Sequence, residues 1–299
     1  MPTVEGLSHR LRIGEELHSM VGTMKGLAAV AIHDYEQAVR ALHEYTVTVE
    51  QGLQILLSMW AGPVAERTPD THRTALIVIG TDQGLCGPIN REIAGVVRGW
   101  CVEHDLQAEH RLVLSLGARV ARELETVGLH PDESAVLPGS VDAISGVVDD
   151  LIVRIDRWRS ERDVTRVVVI FQHPLQRTQR APRIFQVVPP DVRRLEGIAA
   201  RAWPTRMLPA SPHGVDELSA GLFRQDLFIA LFRAVAEAKT AEHGARLSAM
   251  QAAEQNIEER LAALRNEYHQ LRQALITEEL LDVVSGFEAL GGADGNRKR

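Results

Sequence analysis

The chain has 299 residues, with 33 basic against 40 acidic side chains (net −7 with neutral histidines), 45% hydrophobic and only 4% aromatic residues. The length allows about two domains of the usual ~150 residues, and the scarcity of aromatics fits helical rods built on Leu, Ala and Val. The acidic balance, without any cluster of five or more Lys/Arg, argues against a nucleic-acid binder. No window approaches about 18 unbroken apolar residues, so direct membrane insertion is not expected.

The N-terminus (MPTVEG) is not a signal peptide. Ser8 is a candidate N-cap, and from there to Trp60 the chain reads as one long helix ended by Gly62-Pro63. Its apolar row, Leu17, Val21, Met24, Ala28, Ala31, Tyr35, Ala38, Leu42, Tyr45, Val49, Gly52 and Leu56, steps four, three, four, three without a slip. A sustained period of 3.5 predicts a left-handed supercoil with a second helix. Gly52 and the small Ala28, Ala31 and Ala38 would let that helix approach closely.

Residues 63–74 form a linker, after which the period changes. Thr74–Ile79 is a continuous apolar run ending in Gly80-Thr81-Asp82, which reads as a buried parallel strand. A helix over 90–103, a strand over 111–116, a helix over 118–127, a Pro/Gly/Ser-rich stretch at 131–140 and a helix over 141–159 follow. A strand over 165–171 comes next, then an antiparallel edge strand over 184–188. This alternation predicts an open α/β domain with helices on both faces. Residues 192–213 read as an irregular return with a short helix near 192–201.

From Val215 to Leu290 the chain contains no proline and is bracketed by Gly214 and Gly291-Gly292. As one helix it would be on the order of 110 Å long, too long to be buried in a globule of this size, so its exposed part needs a partner. The row Leu247, Met250, Ile257, Leu261, Leu264, Tyr268, Leu271, Leu275 is broken only by Glu254. The seam is thus expected to include Met24, Ala28 and Leu42 on one helix and Met250, Ile257 and Leu264 on the other. Beyond Leu275 the apolar residues Ile276, Leu280, Leu281, Val283, Val284, Phe287 and Leu290 spread around the circumference. The N-terminal helix is too short to cover them, so an external apolar sleeve is implied for Ile276, Leu280, Val284, Phe287 and Leu290. The helix therefore divides into a part joined to the α/β base (Val215 to about His243), a part paired with the first helix (Leu247 to Leu275), and a tip. The expected fold class is α/β with a long antiparallel coiled coil. The expected segments are 1–62 (first long helix), 75–191 (α/β domain), 192–213 (return), 214–290 (second long helix and tip) and 291–299 (tail).

Candidate chemistry is sparse. Gly80-Thr-Asp-Gln-Gly84-Leu-Cys-Gly87 follows a strand and precedes a helix, the context of a phosphate loop. It lacks both Gly-x-Gly-x-x-Gly and Lys-Ser/Thr spacing, and Pro88 removes a backbone donor. A structural turn carried by Asp82, Gly84 and Gly87 is the expectation. Cys86 reads as a small buried thiol rather than a nucleophile, His173-Pro174 ends a strand, and Asp149-Asp150 reads as a solvated pair. Cys86 and Cys101 form neither a metal-type pair nor a disulfide framework, which points to a reducing compartment. No catalytic residue, cofactor or metal is expected. Arg246, Asn256, Arg272, Gln273, Thr277 and Glu279 interrupt the second long helix, and on composition alone they read as a solvated face.

Two stretches carry a resemblance to a known family. The stronger is EHGARLSAMQAAEQN (242–256) followed by RQALITEELLDVVSG (272–286); the other is DQGLCGPIN (82–90). They are similar to E-x-x-A-R-M-x-A-M-x-x-A-x-x-N, R-Q-A-x-I-T-x-E-L-x-E-I-V-x-G and S-D-R-G-L-C-G-x-x-N of the gamma subunit of F-type ATP synthases. The resemblance runs along nearly the whole chain. It implies a non-catalytic rotor shaft whose tip enters a ring of alpha and beta subunits. The α/β domain would lie against the epsilon subunit and the membrane ring of c subunits, at the cytoplasmic face of a bacterial membrane. It also implies that Arg272, Gln273, Thr277 and Glu279 meet a loop of the beta subunit. The chain departs from the family in TMKGLAAVAIHDYE (23–36), which lacks the usual basic cluster, and at Leu247, His269 and Pro88. Such drift resembles the divergent second type of bacterial F-type ATPase. A coiled-coil scaffold with an α/β head, and a small α/β enzyme with a ligand at the Gly80–Gly87 turn, remain the rival classes. Neither explains the 272–286 match.

Overall fold

The computed structural model describes residues 3–59, 73–176, 178–203, 207 and 215–294, with the side chains of 215, 216 and 286–294 outside the description. The Gly62-Pro63 stop, linker residues 63–72, tail residues 295–299 and the side chains of Phe287 and Leu290 therefore lie outside the described residues, whereas 291–294, expected as tail, continue the last helix through Gly291-Gly292. The elements are α1 (Val4–Met59), β1 (Arg73–Ile79), α2 (Ile89–Glu103), β2 (Arg111–Leu116), α3 (Ala118–Thr126) and β3 (Glu133–Ala135). Then come α4 (Ile144–Glu161), β4 (Val164–Pro174), β5 (Arg180–Val188), α5 (Val192–Ala199) and α6 (Val215–Asp294). Helix α1 begins before Ser8: the hydroxyl of Thr3 accepts from the Gly6 amide at 3.2 Å, which makes Thr3 the capping side chain.

The chain divides into two units, one of residues 27–249 and one of residues 1–26 with 250–299. The larger unit holds a five-stranded sheet of order β3-β2-β1-β4-β5. β3, β2, β1 and β4 are parallel, and β5 runs antiparallel to β4 at the edge. Pleating sends successive side chains to opposite faces. Ile77, Leu114, Val169 and Phe171 pack against Ile144, Val148, Leu151 and Ile155 of α4 and against Leu231, Ala234, Val235 and Ala238 of α6. Leu76, Val78, Val113, Val168 and Ile170 face Ile93, Ala94, Val97 and Trp100 of α2 and Val120 and Leu124 of α3. Both faces are covered, which is why Ala75–Ile79 of β1 reads as an unbroken apolar run and Leu112–Leu116 of β2 is interrupted only by Ser115.

Two elements depart from the sequence expectation. β3 lies within the stretch taken as irregular. It has only three residues, too few for a period, and is held by its ladder to β2 and a Ser115–Ser134 hydroxyl contact of 2.8 Å. β5 starts four residues earlier than expected, because Arg180, Pro182 and Arg183 mask the alternation. Such residues suit an edge strand, whose free side must not recruit another chain.

In the larger unit α1 and α6 run antiparallel. Leu222 packs over Gly52, where a Cβ would come within 2.6 Å of its Cδ2. Val49, Leu53 and Leu56 form a cluster with Ile229. Tyr35 stacks on His243 at 5.7 Å, and Ala28 and Ile32 enclose Leu247. The pairing thus begins near residue 222, well before Leu247, so the part expected only to join the base is also paired. In the smaller unit Lys25 meets Glu254 at 2.7 Å, His18 meets Glu258 at 3.1 Å and Glu15 meets Arg265 at 2.8 Å.

Burial locates the seam on α1. Leu7, Ala28, Ile32, Tyr35, Val49, Leu53 and Leu56 are buried, while Leu11, Gly14, His18, Val21, Lys25, Val39, Leu42 and Thr46 are half-buried. These residues step four and three throughout. They share Val21, Ala28, Tyr35, Leu42, Val49 and Leu56 with the expected row, but the other half lies one residue further on. Met24, 39% exposed, is off the seam and Lys25 replaces it. On α6 Met250, Leu261 and Leu264 are buried and Ile257 half-buried, while Leu275 is already 42% exposed.

Candidate functional site

In an open α/β sheet the natural ligand crevice lies at the C-terminal ends of the strands, where successive connections leave in opposite directions. Here β1 leads through α2 to β2 on one side, and α4 returns the chain to β4 on the other. The crevice therefore lies between the ends of β1 and β4, at Gly80–Gly87 and Gln172–His173. The chain fills it with its own helix α6. Ala245 packs on Cys86 and Ile89, the Arg246 guanidinium reaches the Gly84 carbonyl at 3.4 Å, and His173 Nδ1 lies 2.9 Å from the Glu237 carboxylate. The helix covers this side of the turn, while a cavity on another side is lined by Gly84, Gly87, Pro88, Arg91, Arg119 and Arg122.

The turn itself is internally tied. Asp82 accepts from the amides of Ala118 and Leu137, both at 2.9 Å, and so joins the end of β1 to the start of α3 and to the chain leading into α4. The Thr81 amide donates to the Asn90 side chain at 3.0 Å, and Asn90 Nδ2 donates back to the Thr81 hydroxyl at 2.8 Å. Gly84 lies against the Arg119 guanidinium and Gly87 has a φ of +64°. The Cys86 thiol is 2% exposed, and burial pushes its pKa up, against the thiolate a nucleophile needs.

Beside the turn lies a cluster that sequence reasoning missed. Glu242, 2% exposed, accepts from Lys239 Nζ at 2.8 Å and from Arg246 Nη2 at 2.6 Å. Burial alone would raise the Glu242 pKa, but the two cations and their hydrogen bonds hold it below the usual range. His243 is pushed down to about 4, first by burial and also by Lys239 and Arg246, so the imidazole is neutral at pH 7. Burial, helped by the charges of Glu242 and Asp34, pushes Tyr35 up to about 12. Arg246 is therefore a buried residue and not part of a solvated face. The available signal was the acid three residues after Lys239 and four before Arg246, in a stretch otherwise rich in alanine. The cluster is paired within α6 itself, through Lys239, Glu242 and Arg246.

Further along α6, Arg272, Gln273, Thr277 and Glu279 are all exposed, and the Thr277 hydroxyl donates to the Gln273 carbonyl at 2.9 Å. Ile276 (54%), Leu280 (63%) and Val284 (47%) are exposed, as are Leu281 and Val283. Asp150 is bound by Arg154 at 2.7 Å. Among the described residues no group of three or more His, Cys, Asp or Glu could hold a metal, and no helix is long and apolar enough to cross a membrane.

The fold is thus an α/β domain whose strand-end crevice is occupied by a long helix of the same chain, and that helix continues into an exposed apolar end. The ATP synthase family model matches residues 3–290. The ATP synthase gamma chain of Anaeromyxobacter sp. (strain Fw109-5) is 27% identical over 97% of this chain and all of that protein. The fold is similar to chains in the Euglena gracilis mitochondrial ATP synthase. One, in its OSCP/F1/c-ring structure, has a TM-score of 0.60 at 16% identity, covering 97% of this chain and 95% of that one. Another, in its rotor structure, has a TM-score of 0.57 at 15% identity, covering 91% and 98%. The chain belongs to the ATP synthase gamma-chain family.

Proposed function

We infer that this chain is the central rotor shaft of an F-type ATP synthase. Ion flow turns the membrane ring of c subunits, the ring turns the shaft, and the shaft forces the catalytic sites of the alpha and beta subunits through different affinities. In reverse, hydrolysis drives pumping. The observation that carries the reading is the family match over residues 3–290 together with the uncovered apolar end of α6 at Ile276–Val284. Contacts made by such a surface are non-directional and can be exchanged as the shaft turns, which suits a tip surrounded by alpha and beta subunits. The base would meet the epsilon subunit and the c-ring at the cytoplasmic face of a bacterial membrane. The chain itself would be non-catalytic, acting through its partners.

Arg272, Gln273, Thr277 and Glu279 are the residues we assign to a loop of the beta subunit. Their exposure leaves them available to a partner. A hydrogen bond to a charged group contributes roughly 1.5–3 kcal/mol, enough for a transient catch and little enough to break at each step. Copurification with alpha and beta subunits tests the reading. Arg272→Ala should then lower ATP turnover coupled to pumping while the isolated chain stays folded. Unchanged hydrolysis and pumping in the assembled complex would refute the assignment of Arg272.

A further inference from the structure

A shaft that carries torque must not slip against its own α/β domain. Where α6 crosses the sheet most of its buried side chains are small, Ala234, Ala236, Ala238, Ala241 and Ala245, with Leu231 and Val235 among them. Apolar packing of this kind resists separation, but it is non-directional and offers little resistance to sliding or to rotation about the helix axis. Resistance to slip must come from directional bonds between α6 and the sheet. Among the described residues of α6 from 231 to 249, Glu237 alone forms an ion pair with a sheet residue, Arg183. Lys239 and Arg246 satisfy Glu242 on the same helix, and the reach of Arg246 to the Gly84 carbonyl is long, at 3.4 Å.

Glu237 is 5% exposed, and its carboxylate is met by side chains from three elements. Oε2 accepts from Arg183 Nη1 of β5 at 3.2 Å and lies 2.9 Å from His173 Nδ1 at the end of β4. Oε1 accepts from Arg233 Nε of α6 itself at 2.7 Å. Two of the three contacts thus cross from helix to sheet, at adjacent strands, and the third fixes the rotamer of the carboxylate from its own helix. His173 borders the crevice at the strand ends, where an α/β enzyme would place a ligand-binding group; here it engages the helix that fills the crevice. We propose that Glu237 is the positioning residue that keys α6 to the sheet, so that torque passes between the α/β domain and the shaft without slip. The inference rests on the rotor reading above and adds the point of mechanical attachment.

The test uses the assembled complex in inverted membrane vesicles, with ATP hydrolysis and the steady-state ion gradient measured together. Glu237→Gln keeps the shape but removes the charge: whichever way the amide turns, the ion pair with Arg183 is lost and at most a weaker neutral hydrogen bond crosses to the sheet. Hydrolysis should persist while the gradient sustained against load falls about twofold or more, in line with coupling changes of ~0.5–2 kcal/mol for such network positions. Arg183→Gln and His173→Gln, which each cut one crossing contact, should show the same split. Arg233→Gln, which cuts only the contact within the helix, should show less. An unchanged gradient in the crossing variants, or hydrolysis and gradient falling in proportion, would overturn the proposal. If Glu237→Gln fails to assemble, Arg183→Gln decides, because Arg183 is 44% exposed and can be lost without burying an unpaired charge. Failure of the unsubstituted chain to co-assemble with alpha and beta subunits would instead reject the rotor reading.

Discussion

Removal of the Glu242 carboxylate should be among the most damaging single changes outside the apolar core. The side chains of Glu242, Lys239 and Arg246 are 3%, 11% and 10% exposed. Glu242→Ala would leave two cations in a space that water hardly reaches, and the arginine cannot shed its proton. Breaking a buried ion pair from one side costs about 3–5 kcal/mol, because the desolvated partner stays behind uncompensated. For a cooperative unit the size of residues 27–249, each kcal/mol lowers Tm by roughly 2–4 °C, so the expected loss is about 6–20 °C. Glu242→Gln retains an acceptor for one cation and should cost about half as much. Replacing the trio together, as Lys239→Met, Glu242→Leu and Arg246→Met, should be milder than Glu242→Ala alone, since a packed apolar set avoids the desolvation of charge. Thermal unfolding of the full chain, followed by circular dichroism, reads all three. A Glu242→Ala shift below about 2 °C, or a triple variant worse than the single one, would show that burial and pairing do not set the energy of this trio.

Acid should destabilise the larger unit in two stages. His243 falls from its ordinary 6.5 to about 4 on folding, so between those values the unfolded chain binds the extra proton and stability drops as pH falls. The difference amounts to about 3 kcal/mol by pH 4. His243→Phe should flatten that part of the urea-midpoint profile, and an unaltered slope would count against it. Glu242, whose pKa is lowered on folding, contributes stability that is present above its ordinary value of 4.5 and is lost as pH falls further through its folded value. Gly117 has a φ of +111°, and a Cβ there would lie 2.7 Å from the Thr81 carbonyl oxygen. Gly117→Ala should cost about 2–5 kcal/mol in equilibrium unfolding, from backbone strain and overpacking together; a neutral result would mean that the strand end yields more easily than its contacts imply. In the smaller unit, the double-mutant cycle of Lys25→Met and Glu254→Gln should give a coupling of about 1 kcal/mol, discounted for partial exposure. The charge swap Lys25→Glu with Glu254→Lys should recover most of the loss of either single reversal, and additive losses would argue that the pair is incidental.

Much of the architecture was legible because periodicity reports which faces are covered. The unbroken run of β1 announced a strand buried on both sides, and the 3.5 period of α1 announced a long partner helix. The period could not settle which of two adjacent rows faces that partner. Leu17 and Met24 are as apolar as the residues that do, and they stand 44% and 39% exposed with Ile13, Met20, Leu27 and Val30. Apolar side chains on both rows made the stripe wider than one seam, so composition favoured Met24 over Lys25. The contact that decides between them is Lys25 with Glu254, and it joins residues 229 apart in sequence. Glu254, which looked like a flaw in the α6 row, is the acid that accepts this lysine. A polar partner at a seam position specifies register where apolar residues alone tolerate slippage.

Distance along the chain also hid the role of the Gly80–Gly87 turn. Local sequence places a strand, a glycine-containing turn and a helix there, and these parts serve a phosphate loop or a structural turn equally well. The choice is made by residues 237–246, at least 150 positions away, which supply Glu237, Ala245 and Arg246 to the crevice. In a ligand-binding α/β protein the strand ends are left open and their polar groups wait for a substrate. Here the polar groups are matched by the chain itself, Asp82 by two backbone amides and Asn90 by Thr81. The ligand crevice of the fold has become an internal joint, and the exposed apolar surface that a partner can use has moved to the far end of α6.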